Sequence, residues 1–372
     1  MADYKKNFSV NLKKMRKLRG FTQKDLAEFL GFSEKTVSKW ECGQAIADIE
    51  TIFKIAEVLC TDIETLFKSE EIYYLGIDGG GTKTELALAD KDGNIIRTLK
   101  ADSCNPVDIG IDAAKEILKD SIYRICGDIP FPNISVFAGI SGGTTVGDIK
   151  EKLEKFFEGF NFMAVKNDSD NKNIIAAGLG KKNGITLILG TGICAFAQKD
   201  GVHTRTSGWG YFIDNGGSAY NLGRDALNAY FCAYDGTGEA TLITDEVNKM
   251  YPGGTQKLVG HIYSGGKKTV ASFAPVVFSA MEKGDRIAED ILKRNMEEAA
   301  HIVETAARDF KEEKVTVIIA GGLTNQPSVI KYLKSSLKDS ERFDIKTLDC
   351  AQVKGALTLA MELVKERKDE NE

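Results

Sequence analysis

The chain lacks the features of a membrane or secreted protein. Its longest apolar stretch, residues 185–197, is interrupted by Gly190, Thr191 and Gly192, so it falls short of the ~20 residues that a membrane helix needs. The N-terminus carries early lysines and no apolar segment, which does not fit a secretory signal. We therefore expect a cytoplasmic protein with no membrane partner.

Metal-binding patterns are also missing. Only three histidines are present, and the seven cysteines contain no CxxC pair, whereas structural zinc sites usually combine such pairs with histidine. We interpret the cysteines as buried free thiols in a reducing compartment and assign no metal to them.

What the chain does have is the composition of a folded globular protein. Hydrophobic residues make up 42% and charged residues 28% of its 372 positions, a balance that does not fit a disordered or membrane chain. This length predicts two or three domains. We expect one small unit and two larger ones.

The net charge of −5 argues against a nucleic-acid partner, but the charge is unevenly distributed. Between residues 5 and 24 there is no acidic residue. The same segment holds eight basic residues: Lys5, Lys6, Lys13, Lys14, Arg16, Lys17, Arg19 and Lys24. This pattern predicts one small domain with an electropositive face that could bind DNA.

Apolar residues at helical spacing predict four helices in the first seventy residues. Thr22 caps the second helix, with Asp25 at the capping-box position, and Gly31 turns the chain. Ser33 caps the third, and the fourth follows Asp48. Two short helices joined by a tight turn are typical of a helix-turn-helix motif.

This segment resembles the lambda-repressor and Cro type of DNA-binding domain through FTQKDLAEFLGFSEKTVSKWECGQ and DIETIFKIAEVL. The resemblance implies an XRE-type domain over residues 1–70 that binds a DNA operator as a homodimer. It places Gln23 beside the DNA backbone. It places four residues on the groove-facing side of the recognition helix: Ser33, Lys35, Thr36 and Lys39.

After residue 71 the sequence becomes rich in strands and glycine. An apolar strand over residues 72–78 ends in an acid and runs into a glycine turn, residues 79–83, which a second strand follows. Glycine amides can approach phosphate oxygens without an obstructing Cβ. A glycine turn in a hairpin is a weak signal alone, because most such turns are only turns.

A second strand–glycine–strand unit makes this signal stronger. Residues 184–189 form another apolar strand, Gly190, Thr191 and Gly192 follow, and a returning strand covers residues 193–198. Two such units about 110 residues apart predict an internal duplication, in which two lobes face one nucleotide.

This layout resembles the actin, hexokinase and Hsp70 superfamily, and within it the BadF/BadG-type ATPases and N-acetylglucosamine kinases. The resemblance covers about residues 74–364 and rests on GIDGGGTKTELALAD, LILGTGICAFA and IIAGGLTNQPSVIKYL, with VKNDSD and SGWGYF between them. It implies an all-α helix-turn-helix domain followed by α/β, duplicated RNase H-like (actin-like ATPase) lobes with a nucleotide cleft between them. The expected bounds are 72–180 for lobe I, 181–350 for lobe II, and 351–372 for a C-terminal helix packing back on lobe I.

The resemblance also implies ATP and Mg²⁺ as cofactors and an amino sugar as ligand. Asp78 would hold Mg²⁺ through water. The phosphate contacts implied are Gly80, Gly81, Thr82, Lys83, Gly190, Thr191 and Gly192. The adenosine contacts implied are Gly321 and Gly322. The sugar-side residues implied are Asn105, Asp168, Gly208 and Trp209.

Two departures from the kinase pattern concern catalysis. Phosphoryl transfer needs a carboxylate near the accepting hydroxyl, and in the kinases it directly follows a segment that corresponds to residues 140–143. Here the next residue is Thr144, so Asp148 and Asp168 are the candidate bases. The kinases' Gly-Asp-Glu-Gly-Ser segment is also altered, with Asp214 as its remaining acid.

Three interpretations stay open at this point. The chain is a sugar-sensing regulator that keeps ATP and amino-sugar binding, or an active N-acetylhexosamine kinase with an accessory DNA-binding domain, or a BadF-type ATPase that activates a reductase partner. In the sensor, cleft closure on its ligands would change the spacing of paired DNA domains. The scattered cysteines do not offer the iron–sulfur pattern that the third interpretation requires.

Overall fold

The computed structural model describes residues 4–68, 71–144, 147–311 and 314–369. The chain divides into two units, Met1–Asp170 with Ala356–Glu372, and Asn171–Gly355. The second unit therefore begins with a helix, α9 (Asn171–Gly178), which our sequence boundaries placed at the end of lobe I.

The N-terminal part of the first unit is a small helical domain. Its helices are α1 (Tyr4–Leu18), α2 (Gln23–Leu30), α3 (Glu34–Glu41), α4 (Ile49–Val58) and α5 (Ile63–Phe67). The capping box of Thr22 and Asp25 is confirmed, as are the caps at Ser33 and Asp48. Gly31 adopts φ 76°, the left-handed conformation expected of the turn. The short helix α5 escaped sequence analysis.

A five-stranded mixed sheet follows, in the order β3-β2-β1-β4-β5. The strands are β1 (Tyr73–Gly79), β2 (Lys83–Ala89), β3 (Ile95–Asp102), β4 (Ile134–Ile140) and β5 (Ala164–Asp168). The helices α6 (Pro106–Ile109), α7 (Ile111–Cys126) and α8 (Ile149–Glu158) connect them. The last helix, α16 (Val353–Asp369), lies against β4, where the Ser135 hydroxyl donates to the Ala360 carbonyl at 2.7 Å.

The second unit contains another five-stranded mixed sheet, in the order β10-β9-β6-β7-β8. Its strands are β6 (Gly184–Leu189), β7 (Ile193–Lys199), β8 (Val202–Thr206), β9 (Val315–Ala320) and β10 (Phe343–Thr347). Its further helices are α10 (Ala219–Asp235), α11 (Ile243–Met250), α12 (Thr255–Ser272), α13 (Ala274–Glu282), α14 (Arg286–Ala306) and α15 (Pro327–Ser336).

The two sheets share one topology. In each, an antiparallel three-stranded meander is followed by parallel strands: β1 pairs antiparallel with β2 and parallel with β4, and β6 pairs antiparallel with β7 and parallel with β9. This repetition confirms the predicted fold class, a helical domain followed by two α/β lobes. Among the described residues, no helix combines the length and apolar character needed to cross a bilayer.

The cysteine interpretation needs a correction. Cys104 and Cys126 are buried, but Cys42 and Cys60 are exposed. Each exposed thiol lies where a helix ends: Cys42 caps α3, and Cys60 follows α4 with a φ of 45°. Both side chains lie at the surface of the domain and face solvent.

Candidate functional site

The recognition helix α3 presents its polar side chains away from the domain core. Ser33 caps it by accepting a hydrogen bond from the Thr36 amide at 3.2 Å. Lys35 and Lys39 are exposed, and Thr36 is half-buried. The apolar side of the helix is buried at Val37 and Trp40. The four predicted groove-facing residues therefore lie on the side of α3 that a DNA groove could contact.

A buried ion pair holds α1 to the end of α3, and a hydrogen bond from the first residue of α2 joins it. Arg16 Nε donates to Glu41 Oε1 at 2.5 Å, and Gln23 Nε2 donates to Glu41 Oε2 at 2.8 Å. Arg19 donates to the carbonyls that end α4. Two of the eight basic residues thus have internal roles, and the electropositive face is smaller than the sequence count suggested. One N–H of Gln23 is already used, so only the other could reach a phosphate.

The first glycine turn is closed by its own backbone. Asp78, at the end of β1, is only 9% exposed. The Gly80 amide donates to the Lys83 carbonyl at 3.0 Å, and Lys83 Nζ donates to Glu85 Oε1 at 2.6 Å. This hydrogen bond holds the pKa of the Glu85 carboxyl below its usual range. Thr82 and Lys83 are exposed, but the ammonium of Lys83 already has a carboxylate partner.

Two carboxylates lie in one row across the first sheet. Asp78 pairs in register with Gly139 on β4, and Gly139 pairs with Asp168 on β5. Residues in register point to the same face, and two strand spacings separate these carboxylates' Cα atoms by about 10 Å. Gly139, the residue between them in this row, carries no side chain. The sheet therefore brings the predicted metal and sugar residues together.

Asn105 is buried near the end of the sheet where Asp78, Gly139 and Asp168 lie. Its Oδ1 accepts from the Val107 amide at 3.0 Å, and its Nδ2 donates to Asp108 at 3.1 Å. A Cβ at Gly142 would lie 2.5 Å from Asn105 Oδ1, and one at Gly81 would lie 4.0 Å from its Nδ2. The amide thus lies between the first glycine turn and the segment after β4.

The residues present fit a magnesium ion held mainly through water. Among the described residues, no group of three or more His, Cys, Asp or Glu side chains is arranged to hold a metal. Mg²⁺ characteristically keeps several waters and uses one or two carboxylates plus substrate phosphates. Asp78, with Asp168 on the same face, matches that donor set.

The segment after β4 offers no carboxylate at the expected base position. Thr144 is half-buried, and the two residues after it lie outside the described range. Asp148 is exposed and forms an ion pair with Lys152, whose Nζ lies 2.9 Å from Asp148 Oδ2. This hydrogen bond lowers the pKa of Asp148, which makes the carboxylate a weaker base.

The second glycine turn is held by backbone contacts from a helix. The Gly190 amide donates to the Gly192 carbonyl at 3.0 Å. At the N-terminus of α10, the Ala219 amide donates to the Gly190 carbonyl at 2.9 Å and the Tyr220 amide to the Thr191 carbonyl at 3.2 Å. Among the described residues other than its chain neighbours, no heavy atom lies within 4 Å of where a Cβ of Gly192 would be, so this backbone is open to a ligand.

The two glycines after β9 lie at the same turn. Gly321 has φ 106°, and a Cβ there would lie 2.4 Å from the Leu189 carbonyl oxygen and 3.0 Å from the Gly190 nitrogen. Gly322 faces open space. The structure thus brings the predicted second phosphate turn and the predicted adenosine segment together within one unit.

Asp214 organises the turn that carries the predicted sugar-side residues. Its Oδ1 accepts from the Ser207 hydroxyl at 2.9 Å and from the amides of Gly208 and Trp209 at 3.1 Å each. Its Oδ2 accepts from the Gly210 amide at 2.9 Å. Both oxygens are engaged, so the geometry favours a positioning role over the catalytic role predicted for Asp214.

The indole of Trp209 is 66% exposed, and the Arg205 guanidinium lies 4.4 Å from the ring centre. Sequence analysis missed Ser218 and Asn221, the two residues that hold this turn in place. Asn221 Nδ2 donates to the Asp214 carbonyl at 3.1 Å, and Ser218 caps α10 by accepting from the Asn221 amide. The Ser-x-x-Asn spacing before an apolar run was the available signal.

Comparison with known proteins now identifies the larger part of the chain. The BadF/BadG/BcrA/BcrD ATPase family matches residues 75–361. The chain belongs to this family. A helix-turn-helix family matches residues 12–66, N-terminal to the segment that the ATPase family matches.

Sugar kinases are among the relatives of this ATPase-family chain. The N-acetylmuramic acid/N-acetylglucosamine kinase of Clostridium acetobutylicum is 30% identical over 273 residues, which cover 70% of this chain and 87% of the kinase. The N-acetyl-D-glucosamine kinase of Dictyostelium discoideum is 26% identical, over 77% of this chain and 97% of its own length.

A solved structure shares the fold of the two lobes. The crystal structure of a Chromobacterium violaceum protein assigned as an N-acetylglucosamine kinase has a TM-score of 0.65 and 23% identity, covering 78% of this chain and 99% of that one. The N-terminal segment separately resembles the helix-turn-helix regulator YonR of Bacillus subtilis, with 36% identity over 52 residues, 14% of this chain and 48% of YonR.

Proposed function

We propose that this chain is a transcriptional regulator of the XRE type whose kinase-like body binds ATP and an N-acetylated amino sugar, and that this binding changes its affinity for a DNA operator. It acts in the cytoplasm as a homodimer. Support for DNA binding comes from the exposed polar face of α3, and support for the sugar comes from the relatives.

One observation supports the proposal: acids assigned to binding share one sheet face, whereas the expected base position holds no carboxylate. Asp78 and Asp168 face the same side of the sheet across Gly139, and Asn105 is buried next to the first turn. The base position holds Thr144, whose hydroxyl has no useful basicity near neutral pH. Binding is therefore better supported than turnover.

In this proposal each segment has a defined task. Asp78 holds Mg²⁺ through water, and the ion when bound neutralises charge on the phosphates. The amides of the two glycine turns bind phosphate oxygens. Gly321 and Gly322 border the adenosine. Asp168 accepts hydrogen bonds from sugar hydroxyls, the Asn105 amide accepts from or donates to them, and Gly208 and Trp209 are further sugar contacts.

A second candidate function is an active N-acetylhexosamine kinase, which the identity to the Clostridium kinase favours. Asp168 or Asp148 would then take the proton of the sugar hydroxyl as its oxygen bonds to the γ-phosphorus of ATP. The bond from that phosphorus to the bridging oxygen breaks, and ADP leaves. Of the two carboxylates, Asp168 lies nearer this chemistry because it shares the sheet face with Asp78.

A coupled ADP-release assay separates the two candidates. The full chain is given ATP, Mg²⁺ and in turn N-acetylglucosamine, N-acetylmuramic acid, N-acetylmannosamine and glucose. The regulator hypothesis predicts ADP release no faster than the sugar-free rate with all four. Turnover with any of them establishes the kinase.

Calorimetry of two variants tests the sugar site itself. Asp168→Ala should abolish sugar binding, because it removes the carboxylate on the face shared with Asp78. Asp148→Ala is the matched control and should bind sugar as the parent does, since its side chain is exposed and paired with Lys152. Unchanged affinity in the Asp168 variant would refute its sugar-binding role.

A further inference from the structure

Helix α4 of the DNA-binding domain carries apolar side chains on its solvent side. Ile49 is 74% exposed and Phe53 is 56% exposed. They lie one helical turn apart and therefore form one patch. Ile46, in the loop before α4, is a third exposed apolar residue. Contiguous apolar patches of this kind on a folded surface commonly mark contact sites.

The patch is not explained by the packing of its own domain. The opposite side of α4 is buried in the helical core through Ile52, Ile55 and Ala56. Asp48 fixes the start of the helix by accepting a hydrogen bond from the Thr51 amide at 2.8 Å. The helix is thus anchored by one apolar face and presents a second one.

Charged side chains flank the patch in a self-complementary order. Glu50 and Lys54 are both exposed, one turn apart on the same flank of the helix. Within the part of the chain that the structure describes, neither takes part in an ion pair of 4 Å or less. An opposite charge from another molecule could therefore pair with each.

We infer that α4 is the contact surface between two copies of this chain, packed antiparallel about a two-fold axis level with Ile52. Residues 50 and 54 are equally far along the helix from residue 52, so the axis sets Glu50 of each copy opposite Lys54 of the other. The same axis brings the two Phe53 rings side by side, with each Ile49 against the other copy's Phe53. Two-fold interfaces require this kind of self-complementarity.

A second copy is favoured over a different partner because the charge order is satisfied by its own reversal. The inference rests on the proposed DNA-binding function, in which paired helix-turn-helix domains occupy paired half-sites. It adds the surface that would hold the pair together.

Sedimentation equilibrium of the full chain tests the interface directly. Phe53→Glu should weaken dimerisation by about a hundredfold, because it puts two carboxylates at the centre of the apolar contact. Leu18→Glu is the control: Leu18 is 71% exposed on α1 of the same domain, and its variant should dimerise like the parent. Circular dichroism should show both variants folded.

A charge-reversal cycle tests the register. Glu50→Lys and Lys54→Glu should each weaken dimerisation by about fivefold, and the double variant should restore it, because the pairs re-form with reversed sign. A parent chain that is monomeric, a Phe53→Glu variant that still dimerises, or a double variant weaker than both singles would overturn the inference.

This outcome can be told apart from failure of the proposed function. If only the interface is wrong, the Phe53→Glu variant keeps operator binding and dimerisation unchanged. If DNA binding is wrong, the parent binds no operator although the sedimentation results stand.

Discussion

The two glycine turns of this protein share a sequence pattern but are supported in different ways. The first follows Asp78 and is packed by side chains: a Cβ at Gly79 would lie 2.6 Å from Cys104 Sγ and 3.2 Å from an Ile140 side-chain atom. The second has no acid and is packed by backbone, from the N-terminus of α10 and from Gly321.

The two turns therefore present different groups to a ligand. The first turn combines amides with the Asp78 carboxylate, on a sheet face that also carries Asp168. The second turn offers amides without a carboxylate, and the first amides of α10 are already bound to its carbonyls. We expect substitution of Gly321, which packs against the backbone of the second turn, to be less tolerated than substitution of Gly79, since backbone cannot move aside as a side chain can.

The largest effect should come from Gly321→Ala. The added methyl meets the Leu189 carbonyl at 2.4 Å, and φ 106° strains any L-residue, so we expect a loss of about 4 kcal/mol in unfolding free energy. ATP affinity should fall with it. In Gly322→Ala the methyl would meet open space, so the free energy of unfolding should lie within about 0.5 kcal/mol of that of the parent. Denaturant unfolding of both variants checks this contrast; equal stabilities would contradict it.

Gly79→Ala should cost less, about 2 kcal/mol. Its main obstacle is one sulfur atom, so the double variant with Cys104→Ala should lose less stability than the two single variants together. Burial raises the pKa of the Cys104 thiol to about 11, so the group removed is neutral. If the losses of unfolding free energy were additive in a double-mutant cycle, the Cys104 side chain would not be what prevents a larger residue at position 79.

Ser218→Ala should cost about 1 kcal/mol, the usual value of an N-cap. Because the first amides of α10 bind the Gly190 and Thr191 carbonyls, we also expect faster amide hydrogen exchange in the second turn and no change in the first. Equal exchange in both turns of the variant would break the comparison.

Lys83→Ala should have the smallest effect, at most about 0.5 kcal/mol, because the Lys83 ammonium is largely exposed. The pKa of Glu85 is lowered by Lys83, so the stabilisation is present above the unfolded-state pKa and is lost as pH falls through the folded-state pKa. The stability difference between variant and parent should therefore close on acidification. If the stability difference between variant and parent instead widened in acid, the predicted sign of this pH dependence would be wrong.

Local features of the fold could be predicted from the sequence because they depend on neighbouring residues. The capping box at Thr22, the cap at Ser33 and the strand Gly184–Leu189 were all confirmed. The pairing of Asp78 with Gly139 and Asp168 depends on sheet register, which no local pattern encodes. The family resemblance named both acids, but their place in one row across Gly139 became visible only in the structure.

Side-chain partners were the least predictable part. Arg16 counted toward the basic face, yet it is buried against Glu41. Asp214 looked like a remaining catalytic acid, and its carboxylate instead holds the turn around Trp209. The partner of Arg16 lies 25 residues away along the chain, and those of Asp214 lie four to seven residues before it in an irregular turn, so no regular spacing signals either contact.

Operator affinity with and without ligands tests the central claim most directly. DNA duplexes are first selected from a random pool by the ligand-free chain, and the tightest is then titrated in the presence and absence of ATP, Mg²⁺ and N-acetylglucosamine. The account predicts an affinity change of at least about fivefold, which the Asp168→Ala variant should not show. Superimposable titrations of the parent chain would contradict it.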